Sequence, residues 1–442
     1  MSAVFQAGAA RACITPPVGT CLYGYRPDWH SESVHDDLSL TAAAFREGDA
    51  SALLITVEVG DIHTALCDEM RAAIAEKTGV PASCILLCAT HTHSAPNVSG
   101  MEGWGEIDRP FYETILLPAA VRAAKQAVDA LCDAEIAVGT TQSLVGINRR
   151  EIMQNGNVRL GQEPSGCFDP TMTCVSIRAK DGKGILNLLH YGCHGTTAGC
   201  NREISRDWSG VMIDRMERLT GTLTAFWNGA VGDVGPRLAS GETCGDIRDT
   251  EELGGLAATD AMRAYQARGG FHTGHLQAVC DTVRLPYRPL PSLQAVQDKL
   301  REMGDDDTRI NIDRLTEDHY RQLEALLQSG KTEHPTHFAF PVCLIALGDV
   351  LFIPFPYEIF SQIVLRLRRY IDLPYVLCLS NVNGYNGYFP SQDQIALGGY
   401  EVDCFRSGSL YTLPDNADQY LIEEILRIWE GSRDVSHRAG RD

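Results

Sequence analysis

The sequence predicts an α/β fold: mixed β-sheets layered with flanking helices, forming one large domain over 1–442 with a helical insertion. Short apolar runs of strand length alternate with segments of helical period through most of the chain. Where the order is strand, helix, strand, the strands are expected to lie buried between helical layers. A third observation places the insertion, or cap, at 286–338, which is charged, helical in period and poor in strand-like runs. Length alone is compatible with two or three domains, and also with a single large α/β unit.

In chain order, "SALLITVEVG" at 51–60 reads as a buried strand. "ALCDEMRAAIAEKTG" at 65–79 reads as a helix: Leu66, Met70, Ala73 and Ile74 share one face, and Gly79 suits a left-handed C-cap. "CILLCAT" at 84–90 is again a strand. Further helices are expected near 110–131, 208–220, 250–268, 291–303, 314–328 and 417–430. Further strands are expected near 135–139, 172–178, 184–189, 222–227, 275–284, 340–347, 350–354 and 375–380. Segments 53–93 and 350–385 run through the same order of strand, acid, helix, strand and polar loop, with Asp61 paralleling Glu358 and His91 paralleling the loop after Cys378. A duplication would leave this echo, and so would any two β-α-β units.

A formal charge of −19 argues against a nucleic-acid partner, which would draw on clustered Lys and Arg, and against an anionic membrane surface. No apolar run approaches the roughly 18 residues that a membrane-spanning helix needs. The opening "MSAVFQAGAARACITPPVG" lacks a basic region followed by an apolar one, so no signal peptide and a cytoplasmic location are expected. The 15 cysteines include no C-x-x-C pair, so free, reduced, structural thiols are expected rather than a zinc knuckle or redox motif. The chain also lacks G-x-S-x-G, H-E-x-x-H and a Gly-rich phosphate loop. A small-molecule substrate is the expected partner, and the sequence gives no oligomeric state.

The chemistry concentrates where apolar runs end. "LLCATHTHSAPN" at 86–97 carries His91 and His93 at the end of a strand, where α/β proteins gather their sites. On an extended segment, H-x-H side chains point to opposite sides, so both reach one ion only if the chain bends. "LLHYGCHGTT" at 188–197 ends another run in His190 and His194, and "FIPFPYEIFSQ" at 352–362 sets Glu358 among apolar neighbours. A Gly- and Asn-rich loop at 381–401 carries Tyr385, Tyr388 and Tyr400. Imidazoles, one carboxylate and an open position make a usual set for a catalytic zinc ion. His190 reads as a packed strand residue and His63 as the decoration of a helix start. Asp61 reads equally as a helix N-cap or as a group that orients an imidazole. Asp207 and Asp233 read as turn-forming acids, and Tyr385 as packing.

These stretches resemble the neutral/alkaline, non-lysosomal ceramidase family. The likeness begins at "GAARACITPPVGTCLYGY" (8–25) and "VHDDLSLTAAAF" (34–45), and "CATHTHSAPN" is similar to the family's most characteristic motif. "GINRRE" (146–151), "CHGTTAG" (193–199), "ISRDWSG" (204–210), "GDVGP" (232–236), "PYE" (356–358) and "NGYFPS…GGYE" (386–401) follow in the family's order, covering about 7–430. The resemblance implies one Zn2+ per chain, held by His91, His194, Glu358 and Tyr388 with a water in the open position. It implies that His93 is catalytic, and that Arg149 and Tyr400 lie beside the substrate carbonyl. The chemistry implied is hydrolysis of an N-acyl amide by metal-activated water.

In two places the chain departs from the family. Gly235 stands where known members carry serine, which rules out a seryl intermediate there but leaves metal chemistry untouched. The terminal helix "ADQYLIEEILRIWE" is followed here by a short polar tail, so a chain without the family's C-terminal β-sandwich is expected. A small polar or sugar-derived ester or lactone therefore stands as an alternative substrate. A non-catalytic, metal-stabilised binding protein stands as an alternative function.

Overall fold

A computed structural model describes residues 3–101, 104–304, 311–331 and 333–439. The large sheet is built from β1 (Gln6–Cys13), β2 (Ser39–Glu47), β3 (Ala50–Val57), β4 (Ile85–Ala89), β5 (Cys132–Gln142), β6 (Thr171–Ala179), β7 (Gly184–Tyr191) and β8 (Thr224–Asn228). Its spatial order is β8-β7-β6-β5-β1-β2-β3-β4, and the short strand His272–Thr273 pairs with β5 to make nine strands. A second, four-stranded sheet runs β9 (Leu276–Pro286), β10 (His337–Leu347), β11 (Val350–Pro354) and β12 (Tyr375–Leu379).

The pairing pattern repeats three times. Within β1–β4, β5–β8 and β9–β12 alike, the first three strands pair antiparallel, and the fourth lies parallel to the third. A parallel fourth strand needs a helical crossover. α1 (Thr64–Thr78), α3 (Asp207–Thr220) and α7 (Ser361–Tyr370) supply it in turn. The echo between 53–93 and 350–385 is thus matched by topology. The unit at 132–228 follows the same plan, although its sequence shows no such echo.

The described helices fall close to their expected places. α1 ends with Gly79 at φ +76, the expected left-handed cap. The 110–131 stretch divides into a short helix Arg109–Phe111, a wide turn Tyr112–Leu116 and α2 (Leu117–Asp129). α4 (Ile247–Gln266) and α9 (Ala417–Ala439) cover the sheets. In the 286–338 insertion lie α5 (Leu293–Met303) and α6 (Asn311–Gln328), and α6 packs on α8 (Tyr400–Ser407). Positions 305–310 and 332 of that insertion lie outside the described residues.

Two strands, β1 and β2, lack a strand-like sequence because they are built from alanine, a helix former. Small side chains there let α2 approach closely. Its Ala119, Ala120, Ala123, Ala124 and Ala127 are buried, and a Cβ on Gly8 would run into the Ala127 carbonyl. The expectation that every cysteine is free fails at Cys280 and Cys343, which are paired across β9 and β10 and joined by a disulfide.

Between the repeats lies one shared core, to which Leu54, Leu86, Leu188, Trp227, Phe352 and Leu377 contribute. The fourth strands are stitched together where they end. Ala89 N donates to Asn381 O (3.1 Å) and Ser380 N to Asn228 O (3.1 Å), while Asn228 Nδ2 donates to Thr90 O (3.0 Å). The loops that follow the third and fourth strands of every repeat therefore converge on one place. No described helix is long and apolar enough to cross a membrane.

Candidate metal centre and active site

Each repeat delivers an acid or imidazole just past its third strand: Asp61 after β3, His194 after β7 and Glu358 after β11. The loop after β4 adds His91 and His93, and the loop after β12 adds Tyr385 and Tyr388. Glu358 and Tyr388 are register partners in a short parallel pair, Glu358–Ile359 against Tyr388–Phe389, which sets the two side chains side by side. Arg149 enters from the β5–β6 connection, between the short strands Gly146–Asn148 and Arg150–Ile152; the first pairs with Val234–Pro236.

The chain does bend at the H-T-H motif. His91 has a left-handed φ of +66, and its counterpart Asn381, two residues past the last residue of β12, has +56. The bend brings the two imidazoles together, with ring centroids 4.9 Å apart and the Nε2 atoms at 3.4 Å. Glycine at 195 allows the packing behind them, since a Cβ there would sit 2.6 Å from His91 O.

Hydrogen bonds fix which nitrogens face the centre. His91 Nδ1 lies 3.2 Å from Gly60 O, and His194 Nδ1 lies 3.1 Å from Val234 O. A carbonyl only accepts, so each Nδ1 carries the proton and each Nε2 presents a lone pair. Both lone pairs face Glu358 Oε2, at 3.4 Å from His91 and 3.0 Å from His194. That oxygen is buried and has no hydrogen-bond donor. Three electron-rich atoms crowded in a buried space call for a cation among them. Arg149 Nη1, 2.7 Å from His194 Nε2, supplies part of that charge.

Around this core stand the orienting groups. Asp61 Oδ1 lies 3.3 Å from His91 Nδ1, and Tyr23 donates its hydroxyl to Asp61 Oδ2. Asp61 thus sets a buried carboxylate against the His91 ring, while the N-cap of α1 is His63, whose ring accepts from Ala65 N. Tyr385 does more than pack: its hydroxyl donates to Glu358 Oε1 at 3.0 Å. Tyr388 accepts from Arg149 Nη2 at 3.0 Å, and Tyr400 stands edge-on to it with centroids 5.6 Å apart. His190 is a packed strand residue bonded to Cys378 O at 2.8 Å. Asp207 is more than a turn acid. Its carboxylate accepts from the N–H groups of Thr197, Ala198 and Trp208 and so pins the loop behind His194. Asp233 takes the Ser361 N and Oγ donors, tying the second repeat to the third.

The electrostatics follow from burial and close charges. Burial works against an ionised His91, but the Glu358 and Asp61 carboxylates outweigh it and raise its pKa to about 10, so these carboxylates create a demand for positive charge at the ring that either a proton on Nε2 or a cation bound to its lone pair meets. Burial and then the Arg149 guanidinium push His194 down to about 3. Burial, with the neighbouring imidazoles, holds His93 well below its ordinary value. Burial works against the Glu358 carboxylate too, but the two imidazoles keep it well below the usual range.

No protein-family model and no curated protein matches this chain. Solved structures do match. Neutral ceramidase from Pseudomonas aeruginosa superposes with a TM-score of 0.73 at 20% identity, covering 97% of this chain and 75% of that one. A ceramidase complexed with C2 gives 0.73 at 18% identity, covering 97% and 76%. The fold is that of neutral ceramidase.

Within this ceramidase fold, His91, His93, Arg149, His194, Glu358 and Tyr388 meet in one buried cluster, and the half-buried Tyr400 packs against Tyr388 at its edge. The sequence reading missed Glu401, although it quoted the "GGYE" that contains it. This buried carboxylate accepts from Arg149 Nε at 2.8 Å and from Arg150 Nη1. It also missed Tyr23. Position 235 has no room to spare: a Cβ there would sit 2.8 Å from Thr243 Cγ2 and 3.3 Å from Arg149 Cβ.

Proposed function

We propose that this chain is a metal-dependent hydrolase that cleaves an N-acyl amide, with one zinc ion held by His91, His194, Glu358 and Tyr388. The observation that carries the proposal is the donorless Glu358 Oε2 facing two imidazole lone pairs, which is the arrangement a divalent cation completes. Such an ion would supply an activated water near neutral pH. His93, next to the ligand set and with its Nδ1 unbonded, is assigned proton transfer to the leaving nitrogen. Arg149 and Tyr400 are assigned to the carbonyl oxygen, where a donor is worth about 3–4 kcal/mol as negative charge develops. Glu401 keeps the Arg149 guanidinium turned toward the centre. With glycine at 235, no hydroxyl nucleophile is required or available there.

The test couples metal analysis to turnover. The purified chain is expected to hold close to one zinc per molecule. His91→Ala should lose both metal and activity. His93→Ala should keep its metal and lose turnover by roughly 10²–10⁴-fold, the usual contribution of a positioned acid–base group. A fully active His93→Ala chain would overturn its assigned role. A panel of N-acyl sphingoids, short N-acyl amines, esters and lactones fixes the leaving group, and hydrolysis of esters or lactones alone would overturn the amide assignment.

A further inference from the structure

On the rim of this site the structure brings two thiols together. Among the described free cysteines Cys13, Cys167, Cys200 and Cys244 are exposed. Cys13 contacts Thr15 and Cys167 contacts Gln362, but Cys200 and Cys244, 44 positions apart in sequence, face each other with Sγ–Sγ 3.8 Å. Their loops are laced by backbone. Thr196 Oγ1 donates to Thr243 O (2.6 Å), Gly245 N donates to Thr196 O (3.2 Å), and a Cβ on Gly199 would run into the Gly245 carbonyl. The thiols are therefore held within reach of a bond by contacts that do not involve them.

The pair is also wired to the centre. Cys244 Sγ lies 3.5 Å from the Tyr25 hydroxyl, and the Tyr25 ring stands 5.4 Å from that of His93. The loop bearing Cys200 is the one that follows His194. Contact with Cys200, and the Tyr25 hydroxyl after it, outweigh burial and lower the Cys244 pKa to about 6, while the same contact raises that of Cys200, so of the two Cys244 is the thiolate near neutral pH.

We propose that Cys200 and Cys244 form a reversible dithiol–disulfide pair on the rim of the site, and that closing the bond lowers turnover by drawing Cys244 off Tyr25. The oxidant is a small-molecule disulfide, R–S–S–R. The Cys244 thiolate attacks one of its sulfurs, forming a mixed disulfide and releasing R–S⁻. With Cys244 no longer a thiolate beside it, Cys200 gives up its proton to solvent, attacks Cys244 Sγ and releases the second R–S⁻. The two protons leaving the protein thiols end on these, so one R–S–S–R becomes two R–SH as the protein pair is oxidised.

The bond formation stands apart from the hydrolase reading, whereas its effect on turnover rests on it. The whole chain is equilibrated with graded mixtures of reduced and oxidised glutathione, quenched by alkylation and mapped without reduction. A Cys200–Cys244 linked peptide is expected, rising with the oxidised fraction, reversed by dithiothreitol and absent from Cys200→Ser. Separate alkylation of both thiols across the series, or glutathione adducts without the link, would overturn the pair. In parallel, the wild-type chain is expected to lose turnover several-fold on oxidation and regain it with dithiothreitol, while Cys200→Ser is unaffected. Link formation with unchanged turnover would overturn the coupling. If the reduced chain turns over nothing in the substrate panel, the hydrolase reading fails and the peptide map still decides the pair.

Discussion

At the scale of single residues, the centre is a problem in charge placement. Glu401 illustrates it. The carboxylate is fully buried and is shared by Arg149 and Arg150, so neither guanidinium is left unpaired in a space that excludes water. Neutralising it leaves the packing and removes the charge. Glu401→Gln is therefore expected to lower kcat by about 10²-fold, the lower range for a misplaced carbonyl donor. Zinc content should stay near one per chain, since Glu401 bonds to Arg149 and Arg150 rather than to a proposed ligand. Metal analysis beside kinetics checks both halves. His91, His194 and Glu358 were legible because each stands at or just past the end of an apolar run, whereas Tyr388, Arg149 and Tyr400 were reached through the family resemblance. Glu401 and Tyr23 were not legible, because their partners Arg149 and Asp61 lie far away in sequence.

Individual elements carry their own constraint at the end of each third strand. Glu58 follows β3 and accepts from Ser39 N and Ser39 Oγ, the latter at 2.9 Å. Burial raises its pKa from 4.5 to about 7, against the pull of Arg206 and Arg11. A raised carboxyl means that the folded chain binds the proton more tightly than the unfolded one. Its contribution is present in full below about 4.5 and is lost as pH rises through about 7. Glu58→Gln cannot titrate, so its melting temperature should fall less than the wild-type value between these limits. Parallel melting curves across that pH range test this, and identical slopes would refute it. Also at this scale, β1 and β2 were illegible as strands. Their alanines are chosen for the close approach of α2, a demand that local propensity does not record.

For the whole molecule, three β-β-β-α-β units share one core and one site. Phe352 is fully buried in that shared core, so Phe352→Ala is expected to cost about 3–5 kcal/mol through lost burial and the cavity left behind. Because all three repeats line this core, denaturant unfolding should move as one transition to a lower midpoint. A second transition, with one repeat surviving the others, would contradict the shared core. The sequence by itself determined the α/β class and most strands and helices, and it pointed to His91, His194 and Glu358 as candidate ligands. Each of these is written locally, as hydrophobic period or as a polar residue at the end of an apolar run. Tertiary structure alone decided the second repeat at 132–228, the bend that turns His91 and His93 together, the choice of Asp61 as a group set against His91 rather than a helix cap, and the bracing of Glu358 by Tyr385 and of Arg149 by Glu401. These depend on pairings between strand ends distant in sequence, and a hydrogen bond across such a gap leaves no periodic trace in either partner.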